Sequence, residues 1–160
     1  MHACDHHHPE EPGLHGAGLE AALAAAERRC GAAGDKLTTA RRRVLELLLG
    51  AGQPVKAYDL MAGFGTEGET AKPPTVYRAL EFLARTGLAH RIESLNAYIA
   101  CRLTDERHAA GFLICDCCGA TREIEPPGAQ EVQDAARSSG FVVTGVTVEA
   151  HGLCPECAAA

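Results

Sequence analysis

Apolar residues recur at helical spacing along the first half of the chain. The pattern predicts four helices, over residues 19–30, 38–49, 55–64 and 75–85. The last of these has one apolar face, formed by Val76, Ala79, Leu80 and Leu83. Away from that face lie Thr75, Tyr77, Arg78 and Arg85. This helix therefore packs through one stripe and presents a hydroxyl group, an aromatic ring and arginines on its other side.

Two short apolar segments follow the helices. Residues 88–93 and 97–101 predict two strands joined by a turn at 94–96. Helices followed by a β-hairpin are typical of a winged helix-turn-helix, with the helix at 75–85 as its recognition helix. We therefore predict a winged-helix DNA-binding domain over residues 19–101.

Polar segments flank this predicted domain. Residues 1–18 are rich in Pro, Gly, Glu and His and predict a disordered tail. Residues 102–111 are polar and predict a hinge. Residues 112–160 predict a small α/β domain with the order strand, cysteine pair, strand, helix, strand, cysteine pair. The predicted fold class is therefore α+β, with two domains.

The elements of the second domain are predicted from short patterns. Its strands cover residues 112–114, 120–125 and 141–149, the last because that segment is rich in β-branched residues. Its helix covers residues 130–138, and the residues predicted to face inward are Val132, Ala135 and Ala136. A domain this small cannot build a large core, so we expect a metal staple and oligomerisation.

Two Cys-x-x-Cys pairs frame the second domain. Their members are Cys115, Cys118, Cys154 and Cys157. Four thiolates in two such pairs suit a tetrahedral zinc ion, and Gly119 can take the positive φ that the turn after Cys118 needs. The 35 residues between the pairs exceed the usual zinc-ribbon gap, so they must hold a folded unit of their own. A redox dithiol and a pair of structural disulfides are the alternatives.

The length and the cysteine content of the chain limit the number of domains and indicate the cellular compartment. The 160 residues allow one domain or two small ones. No apolar run is long enough to span a membrane, and the polar N-terminus lacks the features of a secretory signal. Eight cysteines without such a signal indicate metal or redox chemistry in the cytosol, so we expect a cytoplasmic protein.

Charge is unevenly distributed along the chain, whose net charge is −6. Residues 36–91 carry nine Lys or Arg against five Asp or Glu, whereas the segments on either side are acidic. A basic middle is typical of a DNA-binding module, although an ordinary solvated face is the alternative. Arg41, Arg42 and Arg43 lie near a helix start, where the helix dipole disfavours cations. Phosphate contact or simple solvation would explain their position.

Four segments resemble the zinc-sensing branch of the ferric uptake regulator family. They are residues 57–60, 71–80, 90–94 and 149–154, which read AYDL, AKPPTVYRAL, HRIES and EAHGLC. The resemblance covers residues 19–157. It implies a dimer that joins a winged-helix domain to a C-terminal dimerisation domain and that represses transcription when metal is bound.

The resemblance also implies a second metal site, drawn from both domains and the hinge. Its ligands would be His90, Cys101, His108 and Glu123. A thiolate, two imidazoles and a carboxylate suit zinc better than an all-oxygen set. The cofactor would then be Zn²⁺, two per monomer, with a structural ion on the four cysteines and a sensed ion here. The iron-sensing branch has a His-His-Asp-His cluster where this chain has Ala-Ala-Gly-Phe at 109–112, which puts iron sensing in doubt.

The sequence thus predicts a homodimeric repressor, not an enzyme, that binds operator DNA when zinc is bound and controls zinc uptake genes. The predicted DNA contacts are Arg78, Tyr77, Thr75, Tyr58, Lys72, Arg41, Arg42 and Arg43. Arg78 is expected to read a base, the tyrosines a thymine methyl group or a phosphate, and Lys72 and the other arginines phosphates.

Two other functions are weighed against this prediction. One is a redox or peroxide sensor on the same fold, with Cys101 or Cys117 as the reactive thiol. The other is a zinc hydrolase or dithiol oxidoreductase. The enzyme is disfavoured because four protein ligands leave no open position on the metal for water.

Overall fold

The computed structural model describes residues 12–65, 72–102, 109–143 and 145–159. The elements in chain order are α1 (Gly16–Ala32), α2 (Thr39–Ala51), α3 (Ala57–Phe64), α4 (Pro73–Arg85), β1 (Ala89–Ile92), β2 (Ala97–Ala100), β3 (Ala110–Cys115), β4 (Thr121–Ile124), α5 (Ala129–Ser138), β5 (Thr147–Gly152) and α6 (Pro155–Ala158). Elements α1 to β2 form an N-terminal unit, and elements β3 to α6 form a C-terminal unit.

The core of the N-terminal unit lies between α2 and α4. The predicted apolar stripe of α4 is buried at all four positions, including Val76 and Leu83, which are fully inaccessible. On α2 the helical spacing predicts a buried face of Val44, Leu47 and Leu48. The observed face is wider, because Leu45 and Leu49 are buried with Val44 and Leu48, while Leu47 is half-buried. Fully burying one such side chain contributes about 1.5–3 kcal/mol, so burial of this face stabilises the unit.

The observed ends of α1 and α2 differ from the predicted ones by a few residues. Of the two threonines that could cap α2, Thr38 and Thr39, it is Thr38 whose side chain accepts a hydrogen bond from the Arg41 amide. However, α2 continues past Gly50 and ends at Gly52, which takes a left-handed φ of 67°. The predicted tail is too long, because α1 already begins at Gly16 and the Leu14 amide donates to the Leu49 carbonyl at 2.8 Å. Residues 1–11 of that tail lie outside the described residues.

The predicted hairpin is present as the antiparallel pair β1–β2. Ala89 pairs with Ala100, and Ile92 pairs with Ala97 across the turn. A single bridge between Val55 and Tyr98 attaches the hairpin to the start of α3. The helices and this hairpin together form the winged-helix arrangement that the sequence predicted.

The C-terminal unit contains a three-stranded sheet in the order β4-β3-β5. β3 pairs with β4 antiparallel and with β5 parallel, so the chain crosses over through α5. The predicted hinge is two residues too long, because Ala110 and Gly111 already belong to β3. Residues 103–108 of that hinge lie outside the described residues.

Two predictions for the C-terminal unit were wrong. The predicted strand 141–149 is observed only from Thr147, and residues 141–143 have no regular structure. A strand needs a hydrogen-bonded neighbour, which β-propensity alone does not supply. The residues predicted to face inward on α5 are not buried, since no residue of α5 is, and Val132 is 51% exposed. The amphipathic pattern therefore marks a face that the described part of the chain does not cover.

None of the described helices combines the length and the apolar character that a membrane crossing requires.

Candidate metal centre and nucleic-acid interface

The four predicted cysteine ligands come together at one end of the C-terminal sheet. Cys115 ends β3, and Cys118 lies in the following turn. Cys154 immediately precedes α6, and Cys157 lies within it. Parallel pairing of β3 with β5 sets Cys115 opposite Gly152, so both strands deliver a cysteine pair at the same edge. The four sulfur atoms all lie within 4.8 Å of one another.

Backbone hydrogen bonds shape the first cysteine turn. The Gly119 amide donates to the Cys115 carbonyl at 2.9 Å, which closes the turn. Gly119 has a φ of 77°, the left-handed value predicted for it, and a side chain there would be strained. The Asp116 amide donates to the Gly152 carbonyl at 2.8 Å and ties this turn to the strand before the second pair.

The sulfur spacing fits a tetrahedral zinc ion. Zinc–sulfur bonds of about 2.3 Å place the corners of a tetrahedron about 3.8 Å apart. The Sγ atoms of Cys118 and Cys154 are 3.8 Å apart. Four thiolates are also the donor set that structural zinc sites most often use. The geometry and the chemistry of these residues are therefore both those of a closed zinc site.

The thiols of this cluster titrate unequally. Burial alone would raise the pKa of the Cys115 thiol, but hydrogen bonds from the backbone amides of Cys118, Cys154 and Cys117 outweigh it and lower this pKa to about 6. One of these bonds joins the Cys154 amide to the Cys115 sulfur at 3.3 Å. For Cys157, burial and then the neighbouring thiols raise the pKa. One thiolate therefore forms readily, and further charge needs a cation to balance it.

One side chain of this region was not singled out from the sequence. His151 Nδ1 lies 2.9 Å from Asp116 Oδ1, and its Nε2 lies 4.0 Å from Glu149 Oε2. Asp116 stands between the first two cysteines, and His151 stands three residues before the second pair. The contact thus links the two cysteine turns. Only the strand register reveals it, because the two residues are 35 positions apart.

The residues of the implied second site fall in both units. His90 lies on β1, and Cys101 follows β2 with its amide donating to the Leu88 carbonyl at 3.0 Å. His90 pairs with Ile99, so Cys101 sits diagonally across from it on the same face of the hairpin. A ring nitrogen of His90 and the sulfur of Cys101 lie within 4.8 Å. Glu123 is half-buried on β4 of the C-terminal unit, and His108 lies outside the described residues.

The exposed face of α4 carries polar and aromatic groups. Tyr77 is 50% exposed, and Arg78 is exposed beside it. Within the part of the chain that the structure describes, the Arg78 guanidinium makes no hydrogen bond or ion pair. Lys72 precedes the helix and is exposed, and Tyr58 on α3 is 77% exposed. These groups are available to an external ligand.

The arginine cluster at the start of α2 is engaged inside the N-terminal unit. Arg41 lies over the Phe82 ring at 3.6 Å from its centroid and donates to the Lys36 carbonyl at 2.6 Å. Arg42 forms an ion pair with Glu20 of α1 at 2.9 Å. These partners explain why cations occupy this end of the helix, and sequence spacing could not reveal them because they come from other helices. Phosphate contact by these arginines stays a prediction.

Comparison with known proteins identifies the family of this chain. A model of the ferric uptake regulator family matches residues 32–151. The chain belongs to the ferric uptake regulator family. A zinc uptake regulation protein of Escherichia coli (strain K12) is 40% identical over 137 residues, which cover 84% of this chain and 80% of that protein.

Solved structures of zinc regulators of this family share the fold. A zinc uptake regulator complexed with zinc and DNA has a TM-score of 0.78 and 38% identity, covering 88% of this chain and 95% of that one. The holo form of the regulator XcZur has a TM-score of 0.76 and 42% identity, covering 86% and 97%. The apo form of XcZur, covering 88% and 97%, scores 0.50 at 40% identity. The two forms of XcZur therefore differ in structure.

Proposed function

We propose that this chain is a zinc-responsive transcriptional repressor that binds operator DNA as a homodimer and controls zinc uptake genes in the cytoplasm. The observation that carries the proposal is the cluster of four cysteine sulfurs, spaced as a zinc ion requires. It stands in the same chain as a winged-helix unit whose α4 presents an arginine without a partner among the described residues. The similar zinc regulators, one of them complexed with zinc and DNA, support this combination.

The first zinc ion would link the two cysteine pairs of the C-terminal unit and stabilise its fold. Cys115, Cys118, Cys154 and Cys157 hold it, and all four coordination positions are then filled by protein. A closed site of this kind contributes folding free energy and leaves no position for a catalytic water. The ion therefore has a structural role, and the chain acts as a regulator rather than an enzyme.

A second zinc ion per monomer would be the one that is sensed. Its ligands are His90, Cys101, His108 and Glu123, as the family resemblance implies. The proximity of His90 to Cys101 supports half of this set. The difference between the holo and apo forms of XcZur supports a metal-dependent change of structure. Binding the second ion would favour the arrangement of the two recognition helices that fits successive major grooves.

DNA recognition would use α4 and its surroundings. Arg78 reads a base, since a guanidinium can donate two hydrogen bonds to guanine in the major groove. Thr75, Tyr77 and Tyr58 contact a thymine methyl group or the backbone, and Lys72 contacts a phosphate. Phosphate contacts fix the register on the duplex without carrying sequence information.

A second copy of this chain would cover the apolar surface of the C-terminal unit. Among the described residues, that unit buries only two large aliphatic or aromatic side chains, Phe112 and Ile114. Large apolar side chains that it exposes are Leu113, Val132, Phe141, Val142, Val143, Val148 and Leu153. A unit with so small a core and so large an apolar surface is stable when it pairs with another copy. This face is therefore the proposed dimer interface.

The proposal is tested by titrating operator binding against free zinc, iron and manganese while counting the zinc bound per monomer. We expect operator affinity to rise with free zinc and two zinc ions to bind each monomer. A response to iron alone would overturn zinc sensing. Loss of DNA binding under mild oxidant, with the zinc content unchanged, would instead support the redox-sensing alternative.

A further inference from the structure

Each of the three guanidinium nitrogens of Arg43 has a partner within the N-terminal unit. Its Nη1 forms an ion pair with Glu46 at 2.9 Å. Its Nη2 donates to the Gly63 carbonyl at 2.9 Å, and its Nε donates to the Phe64 carbonyl at 3.3 Å. The side chain is 32% exposed. An arginine from the start of α2 therefore caps the end of α3.

The end of α3 needs such a partner. The last carbonyls of any helix receive no hydrogen bond from within the helix. A helix of eight residues is also only marginally stable in isolation. Gly65 after α3 is extended rather than left-handed, so the usual glycine cap does not form. A cation at this end also complements the helix dipole. Arg43 thus supplies from α2 what α3 lacks locally.

A glycine allows the two helices to meet closely enough for this contact. A Cβ atom at Gly63 would lie 3.3 Å from the Leu47 side chain, closer than most such contacts. Leu47 stands one turn after Arg43 on α2 and packs on the same end of α3. Gly63 therefore allows the approach, and Arg43 fastens it with two hydrogen bonds.

We propose that Arg43 is a positioning residue for DNA recognition, and not the phosphate contact that its charge suggests. α3 carries the exposed Tyr58, and only residues 65–72 separate its end from the recognition helix α4. Helix α3 also packs directly against α4 in the same core. The position of the last turn of α3 therefore helps to set the aim of Arg78 on α4. This inference rests on the proposed DNA-binding function.

A phosphate contact and a helix cap require different properties of the Arg43 side chain. A phosphate contact needs a positive charge, which lysine also provides as a single point. The cap needs a planar fork that reaches two carbonyls and a carboxylate together, which lysine cannot provide. Arg43→Lys therefore separates positioning from charge. Arg43→Ala removes both, and Lys72→Ala serves as the phosphate-contact comparison.

The test measures the affinity of the zinc-loaded full chain for operator and non-operator DNA across a salt series. Arg43→Lys and Arg43→Ala should each lose about tenfold on the operator, little on other DNA, and keep the wild-type salt slope. Lys72→Ala should lose affinity on all DNA and lower the slope by about 0.9. If Arg43→Ala lowers the slope while Arg43→Lys restores it, Arg43 contacts phosphate and the inference is wrong.

A second readout needs no DNA. Amide hydrogen exchange in residues 57–64 should quicken in Arg43→Lys, while exchange in α1 stays as in the wild type. Unchanged exchange in α3 would overturn the inference even if DNA binding weakened. If the wild-type chain fails to bind DNA with zinc, the proposed function itself fails. If the wild type binds the operator and Arg43→Lys distinguishes operator from non-operator DNA equally well, the positioning role is wrong but the proposed function stands.

Discussion

The sulfur atoms of Cys118 and Cys154 lie 3.8 Å apart although the residues are 36 positions apart in the chain. The parallel pairing of β3 with β5 produces this proximity, because it aligns Cys115 with Gly152 at the end of both strands. A metal bound there would join the start and the end of the C-terminal unit. Its loss would open the unit at both places.

Cys118→Ala should therefore unfold the C-terminal unit and abolish the dimer. Structural zinc sites contribute about 10–16 kcal/mol of binding free energy, which exceeds the whole stability of a small domain. Sedimentation and metal analysis would show a monomer with the structural zinc lost. Cys101→Ser is the matched control, since it removes a thiol outside the cluster. A soluble, dimeric Cys118→Ala protein without the structural zinc would contradict the prediction.

Zinc uptake by the four-cysteine site should release at least two protons per ion at pH 7.5. The pKa of about 6 makes Cys115 a thiolate already at that pH, whereas the thiols of Cys154 and Cys157 have raised pKa values and must lose their protons. Calorimetry in buffers of different ionisation enthalpy measures this release. Release of no protons would show that the thiols are already charged.

The same pKa shifts determine how the stability of the metal-free fold depends on pH. A thiol with a lowered pKa stabilises the metal-free fold above its unfolded value near 9, and this contribution is lost as the pH falls through about 6. Raised thiols act oppositely and lose their contribution as the pH rises above 9. Zinc binding has its own pH dependence, because protons compete with zinc for the thiolates, and zinc should be released on acidification. Retention of zinc well below pH 5 would contradict this.

The winged-helix unit could be predicted from the sequence because each of its elements is encoded by residues that are close together in the chain. The α4 stripe of Val76 and Leu83 follows helical spacing, and Thr38 caps α2 from three residues away. The cysteine pairs were found for the same reason, since two short spacings encode them. Such features need no knowledge of which elements become neighbours.

What could not be predicted depends on contacts between distant elements. Arg43 meets Gly63 twenty positions away, and His151 meets Asp116 thirty-five positions away. The strand predicted from residue 141 has a suitable composition but no neighbouring strand in the described part of the chain. Likewise the apolar face of α5, with Val132, was assigned to the core of one chain although the core does not reach it.

Arg78→Ala should cost about 1–3 kcal/mol on the operator and relax the choice of base at one position. Arg78 has no intramolecular partner among the described residues, so its removal should not disturb the fold. Affinities on operators substituted at single positions would reveal the relaxed base. Arg42→Ala, if that residue contacts phosphate, should instead weaken all DNA alike. Identical effects of the two changes would show that the helix faces are misassigned.

Val142→Glu should dissociate the dimer. Val142 is 91% exposed, so a carboxylate is harmless in the isolated chain but costly where a second copy buries it. Ala32→Glu places the same charge on an exposed position of the N-terminal unit and should leave the dimer intact. Analytical ultracentrifugation over a range of concentrations compares the two. Equal dimer stability in both variants would place the interface elsewhere.

Cys101→Ser should remove the zinc response of DNA binding while leaving the structural zinc in place. Cys101 follows the hairpin near His90 and lies outside the four-cysteine cluster, so we expect the structural zinc to remain bound in this variant. Suppose that the arrangement competent for DNA is rare without the second zinc. Moving it from about 1:99 to 99:1 requires zinc to bind that arrangement better by about 5.5 kcal/mol.

Losing the thiolate should remove much of this preference, because it is the strongest donor of the proposed set. Weak, salt-sensitive DNA binding should remain, carried by the basic residues of the N-terminal unit. His108→Ala should act in the same direction but less strongly, since water can replace an imidazole. Operator affinity with and without saturating zinc, measured beside bound zinc per monomer, checks both variants. A wild-type zinc response in Cys101→Ser would place the sensed metal on other residues, and the histidines His2, His6, His7 and His8 would be the next to substitute.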